Sequence, residues 1–375
     1  MGDDMNFAFS PEQDELRLSV RRFLDDKSPM AEVRRLMETE QGYDRAVWKT
    51  LSEQLGLTGL AIPEQYGGYG YSSVEQTIVF EEMGRSLFCG PYFATVALGA
   101  NAILLSGDES AKSDFLGGIA AGETIATLAL TEETGNWDVE AIETTASLHG
   151  NSWLLQGSKS YVIDGLIADL ILVSARTKLG ISLFVVEKGA PNMTVTPILT
   201  MDTTRKMAKV RLDSTPARLL GPQGHAVGGL TRTLDLAVIA LAAEQVGGAM
   251  KCLEMAVGYA KERIQFGRPI GSFQAIKHKC ANVLLEVESA KSAAYYAGWV
   301  ASSDSEELKI AAPLAKAFCS DAYFLAASEN IQIHGGIGFT WEHDAHLYFK
   351  RAKSSEILFG DASYHREKLG VAVGI

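Results

Sequence analysis

Residues 263–274 read RIQFGRPIGSFQ and join two long stretches whose apolar residues recur at helical spacing. The upstream stretch is LAVIALAAEQVGGAMKCLEMAVGYAKE, and the downstream one is AIKHKCANVLLEVESAKSAAYYAGWVA. Gly267, Pro269 and Gly271 punctuate the join, so one helix ends and the chain turns into the next. Arg263 stands just before that turn. A cation at a helix C-terminus complements the dipole, and its planar fork can grip a phosphate or pyrophosphate with two bonds. Alone, the segment is a helical hairpin with an arginine, and ligand binding is only one of its readings. A second segment, Gln332 to Phe339, reads QIHGGIGF between a helical pattern ending near Asn330 and another around Ala345 to Lys350. Its glycines let backbone N–H groups approach a ligand without Cβ atoms in the way. By itself such a loop is usually a turn.

The pair of segments is more specific than either one. With R-x-x-F-G-x-P-I-x-x-F-Q followed by Q-I-x-G-G-x-G-F, the chain resembles the acyl-CoA dehydrogenase family of flavoproteins over almost its whole length. The resemblance implies that Arg263, Phe266, Phe273 and Gln274 hold FAD. It implies that Gln332, Gly335, Gly336 and Gly338 meet FAD from a neighbouring subunit. A homotetramer, or a heterotetramer with a related subunit, is the implied assembly. An acyl-CoA is the implied substrate, and an electron-transfer flavoprotein or similar carrier the implied acceptor.

At 375 residues the chain suits two or three lobes. Hydrophobic content of 47% and charged content of 21% match ordinary globular usage and argue against disorder. A net charge of −12 argues against a nucleic-acid surface, which needs clustered Lys and Arg. It also offers no general attraction to an anionic CoA ester, so local cations must do that work. Cys89, Cys252, Cys280 and Cys319 are widely spaced and read as reduced thiols in helices and core. Met1 to Asp14 is acidic, without the apolar core of a signal peptide. No apolar run reads as a membrane span of ~20 residues. A soluble, cytoplasmic protein is the expectation.

Residues 1–120 are helical in pattern. Ser10-Pro11-Glu12 reads as an N-cap with proline at the first helical position. Pro63 to Gly70, PEQYGGYG, resembles a family loop and reads as a structural turn. In the family, the helix near Ala94 to Leu98 helps wall the acyl pocket. From 121 to 222 the period changes to short runs rich in β-branched and aromatic residues. Thr124–Thr131, Trp153–Gln156, Tyr161–Ile163, Leu170–Ala175, Ser182–Glu187 and Lys209–Leu212 are the expected strands. They predict a small antiparallel β domain, a barrel or sandwich. From 223 to 375 the helical period returns. The expected fold is therefore α+β: an N-terminal helical domain, a middle β domain and a C-terminal four-helix bundle.

The middle domain departs from the family pattern. Leu130-Thr131-Glu132 keeps the start of L-T-E-P-x-x-G-S-D, but Glu133 replaces the proline and Trp137 the serine. The resemblance puts Thr131 and Ile163 at the flavin. Ile163 stands where the family has a threonine whose hydroxyl lies near flavin N5, so only a backbone N–H is left for that bond.

The family reaction removes an α-proton from an acyl-CoA thioester while the β-hydrogen leaves as hydride to the flavin. One carboxylate serves as base. Aligned on Arg351-Ala352-Lys353, the C-terminal glutamate of the family falls at Phe359. The other family position, on the helix before the first FAD motif, falls at Ala237. Two carboxylates remain as candidates. Glu244 lies two turns beyond Ala237, ~10.5 Å along the same helix. Its setting, VIALAAEQVGGA, is small and apolar, which would raise a carboxylate toward the working range of a base. The bland alternative is a buried glutamate satisfied by a cation. Asp361 follows Gly360, two positions past the family site, and reads equally as a helix N-cap. The third possibility is a chain without a base, completed by an unlike subunit.

No Cys or Asp cluster has ligand-like spacing around His334, His343 and His346. Trp137, Trp153, Trp299 and Trp341 read as core or interface anchors. The expected activity is FAD-dependent α,β-dehydrogenation of an acyl-CoA. A base-deficient partner subunit, and an FAD enzyme of this fold acting on a non-thioester, are the alternatives.

Overall fold

The computed structural model describes residues 9–303 and 305–375. Helices α1 (Pro11–Lys27), α2 (Met30–Met37), α3 (Arg45–Glu53) and α4 (Ser73–Arg85) come first, followed by a π-helix at Phe93–Ala100, α5 (Asn101–Leu104) and α6 (Glu109–Ala120). Seven strands follow: β1 (Ala126–Ala129), β2 (Thr145–His149), β3 (Ser152–Ile163), β4 (Leu170–Thr177), β5 (Gly180–Glu187), β6 (Met193–Ile198) and β7 (Met207–Leu220). The rest is helical apart from one tiny hairpin. It comprises α7 (Ala226–Glu262), β8 (Ile264–Gln265), β9 (Arg268–Pro269), α8 (Gln274–Ser302), α9 (Leu308–His334), α10 (Ala345–Ile357) and α11 (Ala362–Val373). These elements form two compact units. One contains the chain through Arg34, Ser72–Phe88 and Val238–Ile375; the other contains Arg35–Tyr71 and Cys89–Ala237. The N-terminal helices are thus shared out, α1 and α4 to the first unit, α3 and α6 to the second.

The second unit is built on a sheet that closes on itself. β4 pairs with β2, β2 with β3, β3 with β7, β7 with β5, and β5 returns to β4. β1 adds to β4 and β6 to β7. Closure leaves fewer bare edges, the main liability of a small sheet. The arrangement is mostly antiparallel, as the sequence suggests, but β1 runs parallel to β4. Two strands escape the sequence pattern. β2 is almost wholly exposed and polar, and β6 is a largely exposed edge, so neither carries a buried face to read.

In the first unit, local chemistry sets the helix starts. Ser10 caps α1 with a full capping box closed by Gln13, and Pro11 takes the first turn. Arg17 and Arg21 on α1 pair with Glu81 and Glu82 on α4, and Tyr295 of α8 donates to Glu81 at 2.6 Å. The tightest approach is between α4 and α7. A Cβ at Gly84 would overlap the carbonyl oxygen of Glu244, and one at Gly247 would overlap that of Glu81. Glycine at both positions lets the two backbones touch. α7 and the span Leu308–Phe339 are long and apolar enough to cross a membrane, contrary to the reading of the sequence, yet half or more of each apolar stretch is buried within the fold. They are core helices. Cys89, Cys252 and Cys319 are buried, Cys280 is half-buried, and all four are free.

Because the obstacle at Gly247 is backbone, not a mobile side chain, Gly247→Ala is expected to cost at least about 2 kcal/mol of stability. Chemical unfolding of the purified variant measures it, and a stability equal to the parent would contradict the crossing described here.

Candidate active site

The first motif forms a shaped corner at the end of α7. The Arg263 N–H still donates to the Tyr259 carbonyl, and the Ile270 N–H donates back to the Arg263 carbonyl, both at 2.8 Å. Between them β8 and β9 make a two-residue hairpin, with Phe266 (φ 53°) and Gly267 (φ 77°) at its tip. The Phe266 ring meets Phe273 edge-on at 6.0 Å, and the Arg268 guanidinium lies 4.1 Å above Phe273. Phe266 is 91% exposed, an unusual state for a phenylalanine in a motif. Arg263 and Gln274 are exposed as well.

The second motif is brought to the same corner. α9 ends at His334, Gly335 takes a φ of 66°, and Gly335–Phe339 make a 3-10 turn. Ile333 packs with Ala256 and Ala260 of α7, and Ile270 of the first motif and Ile276 of α8 join that cluster. The His334 ring stacks on Tyr259 at 4.3 Å and sits against His343 at 4.4 Å. Burial lowers His334 below its ordinary range, and its Nδ1 lies 2.8 Å from the Asn330 carbonyl. His334 is therefore a packing residue. Among the described residues no three His, Cys, Asp or Glu side chains gather as a metal set.

Three observations fit this corner to FAD. The Arg263 guanidinium makes no hydrogen bond or ion pair among the described residues. A Cβ at Gly267, Gly335 or Gly336 would meet nothing within 4 Å, so their backbone is open to a ligand. The Ser272 hydroxyl, inside the first motif, is buried without a partner. Sequence reading missed Ser272, because a serine in a turn carries no signal until its surroundings are known.

In the β unit, Thr131 and Ile163 are both buried and both bonded through their carbonyls. Thr131 accepts from the Ser160 N–H at 2.8 Å, and Ile163 accepts from the Thr127 hydroxyl at 2.6 Å. Between these residues the β3–β7 register shifts, and Tyr161 takes a φ of 57°, the mark of a bulge. Lys159, fully buried, fixes the start of this segment. Its Nζ donates to the Leu130 carbonyl at 3.0 Å and to Glu132 Oε1 at 2.8 Å. Burial opposes charge on Glu132, yet bonds from Lys159 and Thr144 hold its carboxyl down at about 2. Burial pushes Lys159 down to about 8 against the pull of Glu132.

The two base candidates are found in bonds. Glu244 is buried, but its surroundings are not purely apolar as the sequence suggests: Arg351 of α10 donates Nη1 to Glu244 Oε1 at 2.7 Å, and both side chains are nearly inaccessible. Asp361 caps α11, accepting the Tyr364 N–H at 2.8 Å. Ala237 and Phe359 are buried.

Arg263→Ala is expected to lower FAD content in otherwise folded protein, since no neutral side chain replaces a cation facing a pyrophosphate. Absorbance at the flavin band against protein concentration measures it; full occupancy would remove Arg263 from the site.

Comparison with known proteins agrees along the chain. Family models for the N-terminal, middle and C-terminal domains of acyl-CoA dehydrogenases match residues 10–123, 127–215 and 229–374. The acyl-CoA dehydrogenase IpdE2 of Mycolicibacterium smegmatis is 35% identical, covering 94% of this chain and 95% of its own. A structure described as the Tcur3481-Tcur3483 steroid ACAD superposes with a TM-score of 0.88 at 33% identity, over 96% and 97% of the two chains. The ChsE4-ChsE5 complex of Mycobacterium tuberculosis gives 0.90 at 28%, over 98% and 99%. With its helical, β and helical regions in that order, the chain belongs to the acyl-CoA dehydrogenase family of flavin-dependent oxidoreductases acting on CH–CH bonds.

Proposed function

We propose that this chain is a flavin-binding subunit of an acyl-CoA dehydrogenase whose carboxylate base comes from a second, related chain. One observation supports this reading above others. The two carboxylates singled out as candidate bases are committed to structural bonds, Glu244 to Arg351 and Asp361 to the start of α11. Arg351 as a partner holds the Glu244 carboxylate in a fixed orientation. Removing either member would take a buried ionic partner from the other. Two similar structures are described as pairs of differently named chains, which favours unlike subunits here too.

The assembly's reaction is removal of the α-proton and β-hydrogen of an acyl-CoA thioester to give the 2-enoyl-CoA. Bound FAD supplies the hydride acceptor. Arg263, Phe266, Phe273 and Gln274 hold the FAD of their own subunit, while Gln332, Gly335, Gly336 and Gly338 face a neighbour's. Thr131 and Ile163 present backbone groups to the ring. A cytoplasmic location and a soluble electron-transferring flavoprotein as acceptor belong to the same reading. An acyl-CoA panel that includes a steroid-type side chain addresses the acyl group.

Glu244→Gln in the assembled, FAD-loaded enzyme separates this from the reading in which Glu244 is the base. Loss of the ion pair is expected to lower thermal stability while flavin reduction per bound FAD stays within a few-fold of the parent. A variant of parental stability that reduces its flavin at least ~100-fold more slowly would return the role of base to Glu244. Asp361→Ala is expected to cost about 1 kcal/mol, the usual loss of an N-cap.

A further inference from the structure

Lys316 lies within α9 and has no exposed surface. Its Nζ donates to Ser320 Oγ at 2.9 Å, to the Glu356 carbonyl at 2.8 Å and to the Gly360 carbonyl at 3.1 Å. The neutral amine has two protons, and the ammonium form has three for these three acceptors. None is a carboxylate, and Lys316 makes no ion pair among the described residues. Gln245 of α7 donates to Ser320 at 3.0 Å, which holds that hydroxyl in place. Two of the three acceptors belong to α10's last turn and the link to α11.

That link is strained. Phe359 has a φ of 60° and Gly360 a φ of 102°. A phenylalanine in the left-handed region persists only where its surroundings determine it. Among the determinants are the two carbonyl bonds from Lys316 and a contact of 3.0 Å between His365 Nε2 and the Phe359 carbonyl. We propose that Lys316 is a positioning residue, a proton-linked tether that fixes the α10–α11 turn and with it Phe359, at the family's base position, and the Asp361 cap. The tether stands whichever chain supplies the base.

The charged and titratable groups around Nζ are Cys319 and Asp321 on α9, Glu356 on α10, and Asp361 and His365 on α11. Burial lowers Lys316 to about 7, against the pull of Cys319, Glu356, Asp361 and Asp321. Burial holds Cys319 up at about 12, and burial together with Lys316 holds His365 down at about 3, so neither changes protonation near pH 7–10. When the turn opens and water reaches Nζ, the amine returns to the ordinary lysine range, near ~10.4. Between those two values the open turn binds one more proton than the closed one. Raising pH through that window therefore favours the closed turn, and falling pH loosens it until both forms carry the proton.

Hydrogen exchange read by mass spectrometry on the assembled protein tests this. The reporter is the peptide spanning residues 357–365, where the amides of Leu358, Gly360, Tyr364 and His365 are all bonded. Corrected for chemical exchange with an unstructured peptide, protection is expected to rise at least about tenfold from pH 7 to pH 9, where one linked proton allows tenfold per unit. Lys316→Met is expected to abolish that slope. A flat profile in the parent, or the same slope in Lys316→Met, overturns the proposal. If Lys316→Met does not assemble, Ser320→Ala replaces it. Losing one acceptor of the ammonium should move the onset to lower pH, and an unmoved onset counts against the tether. A chain that dehydrogenates alone would defeat the proposed subunit role and leave this exchange result standing.

Discussion

The buried pair of Glu244 and Arg351 is the constraint on which the helical unit depends. It sits on the stretch of α7 that α4 approaches most closely, because the Gly84 position touches the Glu244 carbonyl itself. α10 reaches the same place through Arg351. Burying two charges is expensive, and the expense is recovered only while both are present; losing one typically costs about 3–5 kcal/mol. Such a pair adds little net stability over an apolar contact but strongly resists the wrong register. Here it fixes how α10 lies on α7. α10 then leads into the turn that Lys316 holds, and α7 leads into the corner at Arg263.

That same economy bears on the chemistry. A cation beside a carboxylate makes it a weaker proton acceptor than a free one. Glu244 faces a guanidinium that never loses its charge. Asp361 serves the first turn of α11, where its oxygen answers an otherwise orphaned N–H. By contrast, the corner at the end of α7 is uncommitted among the described residues: the Arg263 guanidinium has no bond, the glycine backbone is bare and the Ser272 hydroxyl is unsatisfied. One corner of the chain is open to a ligand, and the two candidate bases are already bonded.

The sequence carried the corner and the order of the regions because both rest on local signals. RIQFGRPIGSFQ contains its own turn residues, and the period of the apolar pattern changes near residues 121 and 222. The N-cap at Ser10 was legible for the same reason. What could not be read was pairing at long range. Arg351 lies 107 residues from Glu244, and nothing in VIALAAEQVGGA announces that a cation will arrive. Lys159 and Lys316 are likewise invisible as buried residues, since lysines are ordinarily exposed. β2 and β6 were missed although TASLH and MTVTPI alternate, because the strands are short and few of their apolar positions are buried. α7 reads as core only once its apolar face has neighbours, and by composition alone it would also suit a membrane.

The most direct measurement is anaerobic flavin reduction by a panel of acyl-CoA thioesters, using this chain purified alone and reconstituted with FAD. The account predicts that no thioester bleaches the flavin at a catalytic rate, whereas co-expression with a related subunit carrying the family glutamate restores bleaching. Rapid, substrate-dependent bleaching by the chain alone would contradict it and show that the base resides among this chain's own carboxylates.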